Sequence, residues 1–286
     1  MQIIRGAEGL QTALARVRGG GATLALVPTM GAIHAGHLAL IEDARTRADK
    51  VAASIFVNPL QFNDPADIAC YPRHEDSDLA QLEAAGCDLV WLPTADTLYP
   101  AGFATTIHVA GVSERWEGAH RPGHFDGVAT VVAKLLAAIG PDLAIFGEKD
   151  WQQLAVIRRM ATDLDLSTRI LGYPTVREPD GLAMSSRNAL LTPEERVAAG
   201  ALPAILRRAA ARIVAGEKVA AVLADARTSL LAECASEVDY FALVDADTLE
   251  PLEIKRENMR ILVAARVGTV RLIDNLAVTS EQHLGR

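Results

Sequence analysis

The stretch Pro28-Thr29-Met30-Gly31-Ala32-Ile33-His34-Ala35-Gly36-His37 decides the fold, because it follows an apolar run and opens a helix-patterned one. Thr23 to Val27 alternates poorly and is apolar almost throughout, which suits a strand covered on both faces of a parallel sheet. Leu38 to Asp49 then spaces Leu38, Ile41, Ala44 and Arg45 at helical intervals with charged residues between them. A strand, a glycine turn and a helix are therefore expected. Gly31 and Gly36 permit tight backbone and close approach of a ligand, and the helix N-terminus offers N–H groups and a positive dipole end to phosphate oxygens. His34 and His37 share one face of the first turn. Two imidazoles beside a polyphosphate can donate hydrogen bonds and stabilise the charge that develops during attack at the α-phosphorus.

Three further segments repeat this logic. Asn58-Pro59-Leu60-Gln61-Phe62 ends the apolar run Val51 to Val57, where an open α/β sheet presents its ligand-binding edge. Phe146-Gly147-Glu148-Lys149-Asp150-Trp151-Gln152-Gln153 follows the run Leu143 to Phe146. Lys149 supplies an ammonium for phosphates, whereas Gln61 and Gln153 supply neutral amides that can hold hydroxyls and a carboxylate. Asp180-Gly181-Leu182-Ala183-Met184-Ser185-Ser186-Arg187-Asn188 is a small-residue loop with two hydroxyls and a guanidinium, able to close over a triphosphate.

Strand-like runs at Thr23 to Val27, Val51 to Val57, Asp88 to Leu92, Leu143 to Phe146 and Thr168 to Leu171 alternate with helical patterns, which implies a doubly wound parallel α/β sheet. The pattern changes near Tyr173-Pro174. Ala-rich helices are expected over Thr192 to Ala215 and about Lys218 to Cys234, with Thr192, Pro193 and Glu195 as cap, first position and capping-box partner. Strand-like runs follow at Val238 to Val244, Met259 to Ala265 and Val270 to Val278. The division expected is a Rossmann-like domain over residues 1–175 and a smaller C-terminal α+β domain over 176–286, with a hinge near Pro174 to Glu178 whose closure excludes water from a labile intermediate.

The 286 residues are 50% hydrophobic and 22% charged, ordinary globular composition. A net charge of −8 argues against a broad nucleic-acid or anionic-membrane surface, so phosphate binding must come from local geometry. Met1 to Arg5 lacks a signal-peptide apolar core and no apolar run approaches the ~20 residues of a membrane span, so a cytoplasmic chain with reduced thiols is expected. Cys70, Cys87 and Cys234 show no metal spacing with His74, His108, His120 and His124, which read as surface or packing residues. Asp76 and Asp78 are metal candidates by type, but their spacing is also that of a solvated, acidic helix start, the reading preferred here.

Taken together, Pro28 to Gly31 with His34 and His37, Asn58-Pro59 with Gln61-Phe62, Gly147 to Asp150 with Gln152-Gln153, and Asp180 to Asn188 closely resemble the pantothenate synthetase family, the pantoate–β-alanine ligases, in order from about Val27 to Leu191. The resemblance implies a nucleotidyltransferase-like fold, a homodimer, and ATP-dependent joining of pantoate and β-alanine through a pantoyl adenylate, with Mg²⁺ as the companion of ATP. It implies that Met30, Gly31, Ala32, Ile33, His34, Ala35, Gly36 and His37 bind ATP, with His37, His34 and Lys149 catalytic. Gly147, Glu148, Lys149 and Asp150 would contact the nucleotide, Val176 would offer backbone atoms to adenine, and Met184, Ser185, Ser186 and Arg187 would form a second phosphate clamp. Gln61 and Gln153 would hold pantoate, with Asn58 and Arg121 nearby; the role of Arg115 stays open between site and interface. Leu190 stands where many relatives carry an aromatic residue, so altered packing behind the clamp is expected. The rival readings are a nucleotidyltransferase acting on a phosphate-bearing acceptor, which should need additional cations, and a non-catalytic nucleotide-binding module, which would not need both histidines, Lys149 and the Ser-Ser-Arg loop.

Overall fold

The computed structural model describes residues 1–63, 68 and 71–279. The chain divides into two compact units, Met1–Glu148 with Gln152–Pro174, and Lys149–Trp151 with Thr175–Arg286.

The first unit is a six-stranded parallel sheet in the order β1-β4-β3-β2-β5-β6, formed by β1 (Gln2–Arg5), β2 (Leu24–Thr29), β3 (Lys50–Ile55), β4 (Leu89–Leu92), β5 (Leu143–Gly147) and β6 (Arg169–Tyr173). Leu24, Ala25, Leu26 and Val27 are all fully buried, so β2 is covered on both faces, as its unbroken apolar run requires. Ala25, Val27, Val51, Ala53, Val90 and Ile145 form one face, packed by Leu40, Ile41 and Ala44 of α2 (Ala35–Arg47) and Leu79 and Leu82 of α3 (Glu75–Ala84). The remaining helices of this unit are α1 (Leu10–Val17), the short α4 (Ala95–Leu98) and α5 (Glu117–His120), α6 (His124–Ile139) and α7 (Trp151–Asp163). From β2 the chain runs outward through β3 and β4, then returns to β5 and β6 on the other side. The switch point therefore lies between the C-terminal ends of β2 and β5, where Met30 and Glu148 begin their loops.

The second unit stacks α8 (Pro193–Ala199), α9 (Ala201–Val214) and α10 (Val219–Glu233) with an antiparallel sheet of β7 (Glu237–Asp245), β8 (Met259–Val267) and β9 (Val270–Val278). Its core is built from Leu202, Ile205, Leu206, Ile213, Val222 and Leu230 with Ile261, Val263, Leu272 and Val278. The capping box expected at Thr192 is formed: the Glu195 N–H donates to Thr192 Oγ1 at 3.2 Å and the Thr192 N–H to Glu195 Oε2 at 2.9 Å. The single helix expected from Thr192 to Ala215 is broken at Gly200, where a Cβ would stand 3.0 Å from Asp180 Oδ2. Among the described residues no helix is long and apolar enough to cross a membrane.

Candidate active site

Gly31 and Ala32 adopt left-handed φ of +84° and +51° in succession, which turns the N–H groups of Ala32 and Ile33 the same way. Such a pair of amides is an anion-binding nest. Its anion is the Asp78 carboxylate, which accepts from Ala32 at 2.9 Å and from Ile33 at 2.8 Å and is 2% exposed. Asp78 is thus neither a solvated helix-start residue nor positioned as a free metal ligand; Asp76 is the exposed one of the pair. At Gly31 a Cβ would meet Asp78 Oδ2 at 2.9 Å, so glycine is needed for space as well as for φ.

The helix α2 that follows is capped by histidines. The Gly36 N–H donates to His34 Nδ1 at 3.1 Å and the His34 N–H to His37 Nδ1 at 3.4 Å, with the rings 4.1 Å apart. An accepting Nδ1 carries no proton, so in each neutral imidazole the proton sits on Nε2, and both rings become Nε2–H donors. The N–H groups of Ala32, Ile33, His34 and Gly36 are therefore engaged within the protein, Gly36 among those of the helix N-terminus expected to face phosphate, and the side-chain donors of this turn are the imidazoles themselves.

Gln61 is held at both ends. Burial pushes the Tyr99 phenol up to about 12, so it remains an O–H and donates to Asn58 Oδ1 at 2.7 Å. Asn58, 1% exposed, then donates through Nδ2 to Gln61 Oε1 at 3.1 Å and Gly127 O at 3.0 Å. With its oxygen so fixed, Gln61 presents Nε2, which reaches Met30 Sδ at 3.1 Å and ties the amide to the histidine-bearing loop. The Gln61 carbonyl accepts from His124 Nδ1 at 2.7 Å and from the Arg121 guanidinium at 3.2 Å. A carbonyl only accepts, so His124 carries its proton on Nδ1 and receives Arg121 Nη1 on Nε2 at 3.1 Å. Of the expected alternatives, surface or packing, His124 is the buried packing residue, and it holds the Gln61 carbonyl.

Gly127 lets α6 approach this segment. A Cβ there would lie 2.4 Å from Leu60 O and 2.8 Å from Gln61 N, backbone atoms that cannot rotate away. Gly127→Ala is expected to cost about 1–3 kcal/mol of stability and to displace Gln61. An unchanged melting temperature would show that the two segments separate more freely than this packing implies.

The adjacent glutamines of α7 have different environments. Gln152, 4% exposed, donates to Val112 O and Arg115 O, each at 2.8 Å, and accepts from the Glu117 N–H at 3.0 Å, anchoring the loop that contains Arg115. Gln153 is partly exposed and its amide makes no hydrogen bond with a described residue, leaving it available to a ligand. Gly147 ends β5 and Glu148 follows it at the switch point.

In the second unit, Lys149, Ser185, Arg187 and Asn188 line one small hollow with Asp274. Lys149 Nζ is 3.7 Å from Asp150 Oδ1, and Arg187 is exposed with no ion pair among the described residues. Ser185 Oγ accepts the Arg187 N–H at 3.2 Å, and Ser186 starts the short turn that follows. Val176 O accepts the Met184 N–H at 2.9 Å, closing a hairpin whose turn carries Gly181 at φ +92°. Leu190 is 67% exposed, so its side chain packs little against the described residues.

Arg196 braces this hairpin, reaching Glu178 Oε2 and Asp180 Oδ2 at 2.6 Å each. The hydrogen bond from Arg196, followed by smaller contributions that include its charge, holds the Asp180 carboxyl below its ordinary value. A depressed carboxyl stabilises the fold fully above the ordinary pKa of about 4 and loses that contribution as pH falls through its folded value. The pair is partly exposed, so the effect is at most about 1 kcal/mol. Urea unfolding at about pH 6 and about pH 3.5 should show a smaller acid loss in Arg196→Met than in the parent; equal losses would remove the ion pair from the hairpin's stability.

Of the cysteines, Cys70 lies outside the described residues, while burial pushes Cys87 to about 12 and Cys234 to about 11, values unsuited to a thiolate nucleophile.

A doubly wound sheet whose switch point carries a glycine turn and paired histidines on a helix N-terminus defines a Rossmann-like nucleotidyltransferase fold. The family model for pantoate-beta-alanine ligase matches residues 2–277. Pantothenate synthetase of Rhizorhabdus wittichii is 56% identical over 97% of this chain and 99% of its own, and that of Sphingopyxis alaskensis 54% identical over 97% and 100%. The crystal structure of pantothenate synthetase from Thermus thermophilus superposes with a TM-score of 0.91 at 46% identity, covering 97% of this chain and 99% of that one. Pantoate-beta-alanine ligase from Francisella tularensis, complexed with beta-gamma ATP and beta-alanine, gives 0.80 at 33% identity over 97% of each chain. The chain belongs to the pantoate–β-alanine ligase family and is an enzyme of pantothenate formation.

Proposed function

We propose that the enzyme joins pantoate to β-alanine in two half-reactions driven by ATP. The pantoate carboxylate attacks the α-phosphorus, the bond from that phosphorus to the pyrophosphate oxygen breaks, and pantoyl adenylate and pyrophosphate form. The β-alanine amine then attacks the acyl carbon, sheds a proton as the carbon–nitrogen bond forms, and AMP departs. The observation that carries this reading is the Met30–Gln61 link, which fastens a neutral amide donor to the loop bearing the two Nε2–H imidazoles. A carboxylate attacking a polyanion needs its repulsion neutralised and its approach fixed. His34, His37, Lys149 and Arg187 meet the first need, and Gln61 and Gln153 the second. The beta-gamma ATP and beta-alanine complexed with the Francisella ligase agree with these substrates.

Among the described residues no three His, Cys, Asp or Glu side chains converge as a metal cage, and the Asp78 carboxylate is committed to backbone N–H groups. These donors do not build a protein-held Mg²⁺ site; an ion that accompanies ATP would be held chiefly by phosphates and water. Pyrophosphate and AMP release with Mg-ATP tests the proposal, first with pantoate alone and then with β-alanine added. Pyrophosphate that requires pantoate, with AMP and pantothenate appearing on addition of β-alanine, is expected. Pyrophosphate release indifferent to pantoate would overturn the adenylate route.

A further inference from the structure

Lys149 sits two residues beyond the last residue of β5 in the parallel sheet, yet its backbone is fastened to the antiparallel sheet of the second unit. Asn275 of β9, 3% exposed, donates through Nδ2 to the Lys149 carbonyl at 2.9 Å. Its Oδ1 accepts from the Arg260 guanidinium of β8, which lies 3.4 Å over the Trp151 ring, and Trp151 Nε1 donates to Ala246 O at 2.8 Å. The orientation of the Asn275 amide is thus unambiguous: an arginine only donates, so the oxygen faces Arg260 and the nitrogen faces Lys149.

The same two-residue step of β9 holds the clamp hairpin. Asp274, 3% exposed, receives Arg177 in a fork, Nη1 to Oδ2 at 2.7 Å and Nη2 to Oδ1 at 3.0 Å. Arg177 also donates to Gly181 O at 2.9 Å and to Asn275 O at 3.2 Å. Strand alternation sends consecutive side chains to opposite faces, so Asp274 and Asn275 can serve two segments at once. Buried amides and carboxylates are retained where their partners are fully met, and here the partners are the Lys149 backbone and the 176–184 hairpin.

We propose that Asn275 is a positioning residue for catalysis, which sets the Lys149 ammonium through its carbonyl while Asp274 sets the clamp. The inference rests on the proposed role of Lys149 at the ATP phosphates. A side chain carried by a short turn is easily misplaced, and a displacement of about 1 Å at a reacting centre can cost about a hundredfold in rate.

The test is a double-mutant cycle on pantoate-dependent pyrophosphate release, using Lys149→Met, Asn275→Asp and the pair, with Asn275→Ser as a second single variant. Asn275→Asp keeps size and the acceptor for Arg260 but replaces the donor to Lys149 by an oxygen. Its expected effect is a fall in kcat of about 10- to 100-fold with KM for pantoate unchanged, together with a lowered unfolding midpoint because the Lys149 carbonyl loses its buried donor. In the Lys149→Met background the same substitution should cost less than about threefold, because the group it positions is gone. Multiplicative losses in the cycle would overturn the positioning role, as would parent-like turnover in both Asn275 variants. Parent-like pyrophosphate release by Lys149→Met alone would instead overturn the role given to Lys149, a result separate from the cycle. If Asn275→Asp unfolds, the Asn275→Ser cycle decides by the same criterion.

Discussion

His37→Ala is expected to lower kcat for pantoate-dependent pyrophosphate release about 10²- to 10³-fold, the usual cost of removing one donor aimed at charge developing in a transition state. The imidazole has a second task, because its Nδ1 accepts the His34 N–H and completes the cap of α2. Alanine therefore also loses about 1 kcal/mol of stability. His37→Gln separates the two tasks. Glutamine at the third helical position is a regular capping-box partner, so stability should return, whereas its amide lacks the aromatic ring and directed Nε2–H of the fixed tautomer. The expected pattern is a stable, slow enzyme for glutamine and a slightly less stable, equally slow one for alanine. Chemical denaturation and initial rates on both variants check it. A glutamine variant within about threefold of the parent would show that any amide donor suffices, and an alanine variant equally close would leave His37 as a cap alone.

This dual use of His37 shows where sequence reading reaches and where it stops. The spacing of His34 and His37 places both rings on one turn, and the apolar runs locate β2 through β5 because burial on both faces leaves a direct mark on composition, while β6, half-buried at the sheet edge, shows only a short apolar run. β1 leaves no such mark: it is four residues at the sheet edge with alternating exposure, and its existence depends on pairing with β4. Gln152 and Gln153 are identical in type and adjacent, yet one anchors a loop and the other stays available, a distinction made only by residues 112–117 folding back. His124 reads only as a surface or packing residue because its partner is the carbonyl of Gln61, distant in sequence. Asp274 and Asn275 belong to an apolar strand pattern and acquire their meaning from Arg177 and Lys149, 97 and 126 positions away. Local periodicity reports burial and helix phase; it carries no information about which distant backbone groups a polar side chain will meet.

Asp78 is the strongest case of that limit, and its removal is expected to have the largest effect on folding. Asp78→Ala leaves the Ala32 and Ile33 N–H groups without their acceptor inside a buried turn, at about 1–3 kcal/mol each where water cannot fully replace it. It also releases Ala32 from a left-handed φ of +51° that a non-glycine residue holds only when its surroundings enforce it. A loss of about 2–4 kcal/mol is expected in urea unfolding, together with a raised KM for ATP, because the freed turn carries Met30 and leads into His34. Asp78→Asn should fall between: its carbonyl can satisfy one N–H, while its amide nitrogen opposes the other. Glu75 and Asp76 share the first turn of α3 but are exposed, so Asp76→Ala should change stability by less than about 0.5 kcal/mol. That contrast distinguishes a carboxylate bound in the nest from a general dipole effect of acidic residues at the helix start, which would make the two substitutions alike. If Asp78→Ala unfolds like the parent and keeps its KM for ATP, the nest does not hold the turn, and the conformation of Gly31 and Ala32 must be fixed by the sheet edge alone.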